Sequence, residues 1–134
     1  MNTEEKKSIN AYLQANRRVQ AEQTNPTQFI PVSILNSFLG VILWGKDAGG
    51  RDVPLEEIAD KLAITPTTLS THLRYLGDTY REGKEGLGLI QVEIYPLNRR
   101  MRTAKLTRKG KALADQLVYI LQGGTNHGDS RGTQ

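Results

Sequence analysis

The apolar positions of the chain fall at helical intervals over most of its length, with one short stretch that alternates instead. Ile9, Tyr12, Leu13 and Val19 follow helical spacing. They predict a first helix that starts at Thr3 as N-cap, sets Glu4 and Glu5 at the positive end of its dipole, and stops by Asn25-Pro26. That stripe is thin, so the helix needs a surface to pack against. From Pro31 the residues Val32, Ile34, Leu35, Phe38, Leu39, Val41, Ile42, Leu43 and Trp44 are apolar nearly all round, which predicts a central buried helix. Gly40 inside it costs about 1 kcal/mol relative to alanine and marks a close helix–helix approach. "GKDAGGRD" reads as a turn.

Two helical patterns follow, separated by the short break "AIT". Leu55, Ile58, Ala59 and Leu62 form one apolar face; Leu69, Leu73 and Leu76 form the other. Thr65-Pro66 is a restart, a hydroxyl cap followed by proline at the first helical position. Two short helices with facing apolar stripes and a tight turn predict a helix-turn-helix, with the second helix over 66–80. "REGKEGLG" reads as a glycine-rich connector. In "LIQVEIY" the residues Leu89, Gln91, Glu93 and Tyr95 alternate with Ile90, Val92 and Ile94, as in a strand. Pro96-Leu97-Asn98 supplies turn chemistry, and "RMRTAKL" returns as the partner strand, with Arg100, Arg102 and Ala104 on one face and Met101, Thr103 and Lys105 on the other. The hairpin spans 89–106. A last helix carries Leu113, Leu117, Ile120 and Leu121 on one side, and the polar, glycine-rich tail 123–134 reads as disordered. The fold class is mainly α with a small β-hairpin: a winged helix-turn-helix with flanking N- and C-terminal helices.

Charge sharpens this picture. Between Arg99 and Lys111 there are seven Lys or Arg and no carboxylate, in a chain whose net charge is only +4. The chain has no cysteine, which excludes disulfides, thiolate metal sites and a cysteine nucleophile. His72 and His127 are the only histidines, so no metal site is expected and His72 reads as a surface or packing residue. Glu56, Glu57 and Asp60 read as solubilising and dipole-compensating rather than as an acid/base pair. No cofactor and no enzymatic activity are expected. No apolar run is long enough to span a bilayer, and "MNTEEKKSIN" lacks a signal region, so a cytoplasmic protein is expected.

If Leu69, Leu73 and Leu76 face inward, then Thr67, Thr68, Ser70, Thr71 and Arg74 lie outward, next to the cap Thr65. Short hydroxyls and one guanidinium suit a helix that enters the major groove of double-stranded DNA. A merely solvated Ser/Thr face is the competing reading. Asn98, Arg99 and Arg100 sit at the hairpin tip, where two guanidiniums can reach a minor groove or a phosphate row. Arg102, Lys105, Arg108, Lys109 and Lys111 are candidate backbone contacts. A polar helix followed by a cationic hairpin argues for DNA more strongly than either does alone.

"IADKLAITPTTLSTHLRYL" followed by "YPLNRRMRTAKLTRKGKAL" resembles the winged-helix repressors of the MarR (multiple antibiotic resistance regulator) type. Their wing tip reads Asp-Pro-x-Asp-Arg-Arg, and the strand after it ends Leu-Thr-x-x-Gly. Pro96, Asn98, Arg99, Arg100, Leu106, Thr107 and Gly110 occupy the matching positions. The resemblance covers about half the chain, from Val53 to Leu121. It implies that Arg99 or Arg100 enters the minor groove, that the helix from Pro66 is the recognition helix, and that the first and last helices form a dimer interface. It also implies an effector site, for which Tyr12, Phe38 and Trp44 are candidates, with ordinary core packing as the alternative. The chain departs from the pattern at Asn98, where an acidic residue is usual, at Ala63, where the turn often has glycine, at an insertion over 81–88, and in a short last helix.

The organisation expected is then 1–50 for dimerisation and core, 51–111 for the winged helix-turn-helix, 112–122 for the C-terminal helix and 123–134 for the tail. The function expected is a sequence-specific regulator, a homodimeric repressor reading a palindrome. The alternative is a winged helix serving as a protein-interaction module, for instance in replication or partitioning.

Overall fold

Leu69, Leu73 and Leu76 are each at most 1% exposed, and with Leu55, Ile58 and Ala59 they build the core that the helical spacing foretold. In the computed structural model, which describes residues 1–25, 27–81 and 84–124, the elements run α1 (Thr3–Gln20), α2 (Val32–Trp44), α3 (Leu55–Leu62), α4 (Pro66–Leu76), β1 (Thr79–Arg81), β2 (Lys84–Glu85), β3 (Ile90–Ile94), β4 (Arg102–Leu106) and α5 (Arg108–Leu121). The chain divides into two units, residues 30–111 and the remainder, made of residues 1–29 with those from 112 on. The tail expected to be disordered, with His127, falls almost wholly outside the described residues.

Within the unit of residues 30–111, α2 packs against α3, α4 and β4. Leu35, Phe38 and Val41 turn inward, whereas Val32 and Leu43 stay 64% and 63% exposed, so the helix is central but not buried on every side. A Cβ on Gly40 would lie 2.9 Å from Leu62 Cδ1, which is the close α2–α3 approach that the glycine signalled. The turn after α2 is closed by Asp47, whose Oδ1 accepts from the amides of Gly49 and Arg51, both at 2.9 Å. The bond from Arg51 is the main cause that holds the Asp47 carboxyl below its usual range.

The helix-turn-helix hinges on Ala63, at φ 59° and ψ 40°, the one non-glycine with positive φ among the described residues. Alanine holds this left-handed conformation at a cost that glycine does not bear. Ala63→Gly should therefore raise stability by about 0.5–1 kcal/mol, net of the extra unfolded-state entropy of glycine, as read from the urea midpoint.

The second helix stops sooner than its periodicity implied. It ends at Leu76, not at residue 80, because Gly77 leaves helical geometry at ψ −147° and residues 79–81 enter a strand. β1 pairs antiparallel with β2, so the stretch read as a connector carries a small hairpin of its own. The wing proper is β3–β4, with Ile90 opposite Leu106, Val92 opposite Ala104 and Ile94 opposite Arg102. Its return strand begins at Arg102, because Arg99, Arg100 and Met101 are used in completing the turn. Pro54 bridges to Thr103 and ties the start of α3 to the wing.

In the other unit, α1 is capped by Asn2 rather than Thr3. Asn2 Oδ1 accepts from the Glu5 amide at 2.8 Å and the Glu5 carboxylate accepts from the Asn2 amide at 2.9 Å, a reciprocal pair that Thr3 could not make with this spacing. The helix ends at Gln20, before the Asn25-Pro26 stop. Ala15 and Val19 on α1 and Leu113, Ala114, Leu117 and Ile120 on α5 are buried. Leu121, expected inward, is 55% exposed, and Ile9, Tyr12 and Leu13 are 50–61% exposed. Arg18 links the helices by donating to Gln116 Oε1 and also pairs with Glu22 at 2.6 Å.

Candidate nucleic-acid interface

The outer face of α4 is built from its first turn. Thr65 Oγ1 accepts from the Thr68 amide at 3.1 Å and donates to Thr68 Oγ1 at 2.9 Å, so the cap and its partner hydroxyl are fixed together at the helix start. Thr71 Oγ1 donates to the Thr67 carbonyl at 3.1 Å. The donor directions of the Thr65 and Thr71 hydroxyls are thus set, while Thr68 Oγ1 accepts and keeps its own hydrogen to donate. Thr65, Thr67, Thr68, Thr71 and Arg74 are exposed, and Ser70 is half-buried. The Arg74 guanidinium has no partner among the described residues. It lines, with Ser70, Leu73, Asp78, Ile90 and Arg102, a cleft of about 450 Å³ between α4 and the wing.

The wing tip is a braced loop. Tyr95 N donates to Met101 O at 3.0 Å, Asn98 N to Tyr95 O at 3.2 Å and Met101 N to Asn98 O at 2.9 Å. Asn98 Oδ1 accepts from the Arg100 amide at 3.1 Å, so asparagine supplies the acceptor that an acidic residue would have supplied there. Arg102 Nη1 donates to the carbonyls of Arg99 and Met101, both at 3.2 Å. Arg102 is thus a brace beneath the tip. Lys105 pairs with Glu93 at 3.0 Å across the strands, and so has a partner within the hairpin. Arg99 and Arg100 are exposed, and neither guanidinium has a partner among the described residues. The positions expected to act together therefore divide: Arg74, Arg99 and Arg100 offer free cations, while Asn98, Arg102 and Lys105 hold the hairpin.

Helix and wing are joined by backbone. The amides of Gly86, Leu87, Gly88 and Leu89 donate to the carbonyls of Asp78, Tyr75, Gly77 and Leu76 at 2.8–3.0 Å. These carbonyls end or follow α4, where intrahelical partners run out, so the inserted segment serves as a cap. A Cβ on Gly86 would fall 2.1 Å from Gly77 O, which the glycine avoids. Sequence spacing did not reveal this cap; the short "TYR" and "KE" segments around Glu82-Gly83 were the available sign. On the far side, Thr107 N donates to Leu89 O at 3.0 Å, Thr107 Oγ1 donates to Gly88 O at 2.7 Å, and Lys109 Nζ donates to Leu87 O at 2.8 Å. Lys109 is therefore occupied, while Arg108 and Lys111 are exposed.

His72 has a structural task that its sequence context did not disclose. Its Nδ1 lies 2.7 Å from Ser37 Oγ on α2, and that hydroxyl also lies 3.3 Å from the Ser33 carbonyl. Desolvation holds the His72 pKa below 6.5. The unfolded chain then takes up this proton at higher pH than the folded one, so the contribution is lost as pH falls from 6.5 toward the folded value. Urea midpoints at about pH 7.5 and about pH 5 should show wild type losing more stability than His72→Gln over that window.

The candidates for an effector pocket are placed differently from one another. Phe38 is 1% exposed in its core, Trp44 is half-buried with Lys61 Nζ 5.8 Å from its ring centroid, and Tyr12 is exposed on α1. Among the described residues no group of acidic and histidine side chains could hold a metal ion, and no helix is long and apolar enough to cross a membrane.

No protein-family profile matches the chain, and no curated protein matches it either. Solved structures do. A MarR-like transcriptional regulator from Thermotoga maritima is similar with a TM-score of 0.52, at 22% identity, over 92% of this chain and 77% of that one. Bordetella bronchiseptica BpsR, whose DNA binding is regulated by 6-hydroxynicotinic acid, gives 0.47 at 21% identity over 89% and 83%. Streptococcus pneumoniae FabT, in complex with DNA, gives 0.44 at 24% identity over 89% and 82%. At such identities the likeness is one of fold. The chain has the winged helix-turn-helix fold of the MarR-like transcriptional regulators.

Proposed function

We propose that the chain is a DNA-binding transcriptional regulator, a homodimeric repressor that reads a palindromic operator. α4 enters the major groove with Thr65, Thr67, Thr68, Ser70, Thr71 and Arg74, and β3–β4 lies along the adjacent minor groove and backbone with Arg99 and Arg100. The observation that carries this reading is the set of exposed guanidiniums of Arg74, Arg99 and Arg100, without partners among the described residues, beside a wing that Asn98, Arg102 and the Lys105–Glu93 pair hold in shape. A braced backbone beneath these cations leaves only their side chains to be ordered when they meet phosphates. The function of the Thermotoga maritima neighbour, a transcriptional regulator, supports the same class.

Dimerisation is supported by the apolar side chains left open in the unit of α1 and α5: Ile9, Tyr12 and Leu13 with Val118, Tyr119 and Leu121 are 48–61% exposed. A two-fold pair would set its recognition helices about 34 Å apart, one turn of duplex. Selection from a random duplex library, with the mass of the complex measured in solution, tests both points. An enriched inverted repeat bound by two copies is the expected result. Enrichment of a single half-site by a monomer would remove the dimer, and no enrichment beside tight capture of a protein would favour the interaction-module alternative.

A further inference from the structure

Leu97 is 81% exposed, more than any other large apolar side chain among the described residues. It stands at the tip of the wing, after Pro96, in a turn where water would favour Gly, Asn, Asp or Ser. Its neighbours Arg99 and Arg100 are exposed and have no side-chain partner among the described residues. The loop beneath is held by the Tyr95–Met101, Asn98–Tyr95, Met101–Asn98 and Asn98–Arg100 bonds and by the Arg102 guanidinium. Leu97 is therefore an apolar knob offered at a fixed place, flanked by two cations.

Phosphate contact gives such a leucine nothing to do, since a phosphate row offers no apolar surface. The surface that matches a cation-flanked apolar tip is the minor groove of a duplex, with its anionic rails and the apolar faces of base pairs between them. We propose that Leu97 is a wedge: it inserts from the minor groove into one base step, partly unstacks it, and bends the operator toward the major groove. The inference rests on the DNA-binding reading. It adds a source of specificity without base hydrogen bonds, because the step that unstacks most easily is a pyrimidine–purine step such as TA or CA. An operator that fits this wedge carries such a step beneath each wing.

The test uses the full chain and a set of duplexes of the selected sequence, each with 2-aminopurine at a different step. Wild type should brighten the fluorophore several-fold at one step per half-site. Leu97→Ser should abolish that rise while still binding the duplex, and Leu97→Met should keep it, because the side chain is too exposed for either change to disturb folding. Binding by wild type without brightening at any step would overturn the wedge and leave the DNA-binding reading standing. Equal brightening by Leu97→Ser would overturn it as well. Absence of duplex binding by wild type would overturn both. In that last case, a loss of affinity for a captured protein on Leu97→Ser would identify the knob as a protein contact.

Discussion

Replacing Arg99 and Arg100 together with alanine should weaken binding to the selected duplex by at least about 100-fold, because each charge-assisted bond to phosphate contributes about 1.5 kcal/mol. It should also lower the log–log salt slope by about 2, one for each cation removed. Melting temperature should not move, because neither guanidinium has a partner among the described residues. That combination separates the two arginines from their neighbours. Arg102→Ala removes the brace from the Arg99 and Met101 carbonyls, so it should weaken binding through a looser tip. Lys105→Ala breaks only the exposed pair with Glu93, an interaction in the class worth under about 1 kcal/mol. Mutants of Arg99 and Arg100 that bound as well as wild type would transfer the function to some other surface.

Gly110→Ala, like Gly86→Ala, should be among the most damaging single methyls in the winged unit. A helix-propensity argument alone gives the opposite sign, since alanine is better than glycine in a helix by about 1 kcal/mol. Packing decides against it. A Cβ on Gly110 would lie 2.1 Å from Leu89 O and 3.1 Å from Leu89 C. Both are backbone atoms, so no rotamer change can relieve the overlap. The same carbonyl accepts from Thr107 N at 3.0 Å, and Gly110 N donates to Thr107 Oγ1 at 3.0 Å. Moving the helix start away therefore breaks the anchor of the wing. We expect destabilisation by about 3 kcal/mol, the upper part of the range for overpacking, seen as a fall of roughly 10 °C in melting temperature. A melting temperature equal to or above wild type would mean that propensity wins and that the close approach is easily relaxed.

Leu69, Leu73 and Leu76 show why the helix-turn-helix was legible in the sequence. Apolar spacing reports directly on burial, and Thr65-Pro66 is a local cap that needs no tertiary context. Ala63 stood out only through the resemblance, at a turn position where glycine is usual, and its φ of 59° gives that departure its physical meaning. Asn98 was harder: it departs from the usual acidic residue, yet its Oδ1 accepts from the Arg100 amide. The roles of Arg102 and Lys105 were not readable, because a cation that braces and a cation that waits for phosphate have the same letter. Only the carbonyls of Arg99 and Met101 and the carboxylate of Glu93 tell them apart. The 86–89 cap left little trace for a related reason, since it is made by backbone amides that every residue but proline carries. The Ser37–His72 bond joins residues 35 positions apart, and a lone histidine on a helix gives no hint of such a partner. Leu97 read as turn filler until its exposure and the free cations beside it were known.

If residues 65–74 and 98–102 together form a face for duplex DNA, the binding constant must carry their charges. The most direct measurement is a salt titration of full-chain binding to the selected duplex, run in parallel on Arg74→Ala and on the Arg99, Arg100 double alanine variant. For wild type, log K should fall steeply and linearly with log salt. The slope should be lower by about 1 for Arg74→Ala and by about 2 for the double variant. Sequence preference should relax at one position of each half-site for Arg74→Ala alone. Identical slopes for all three proteins would contradict this and place the DNA, if bound at all, on another face of the molecule.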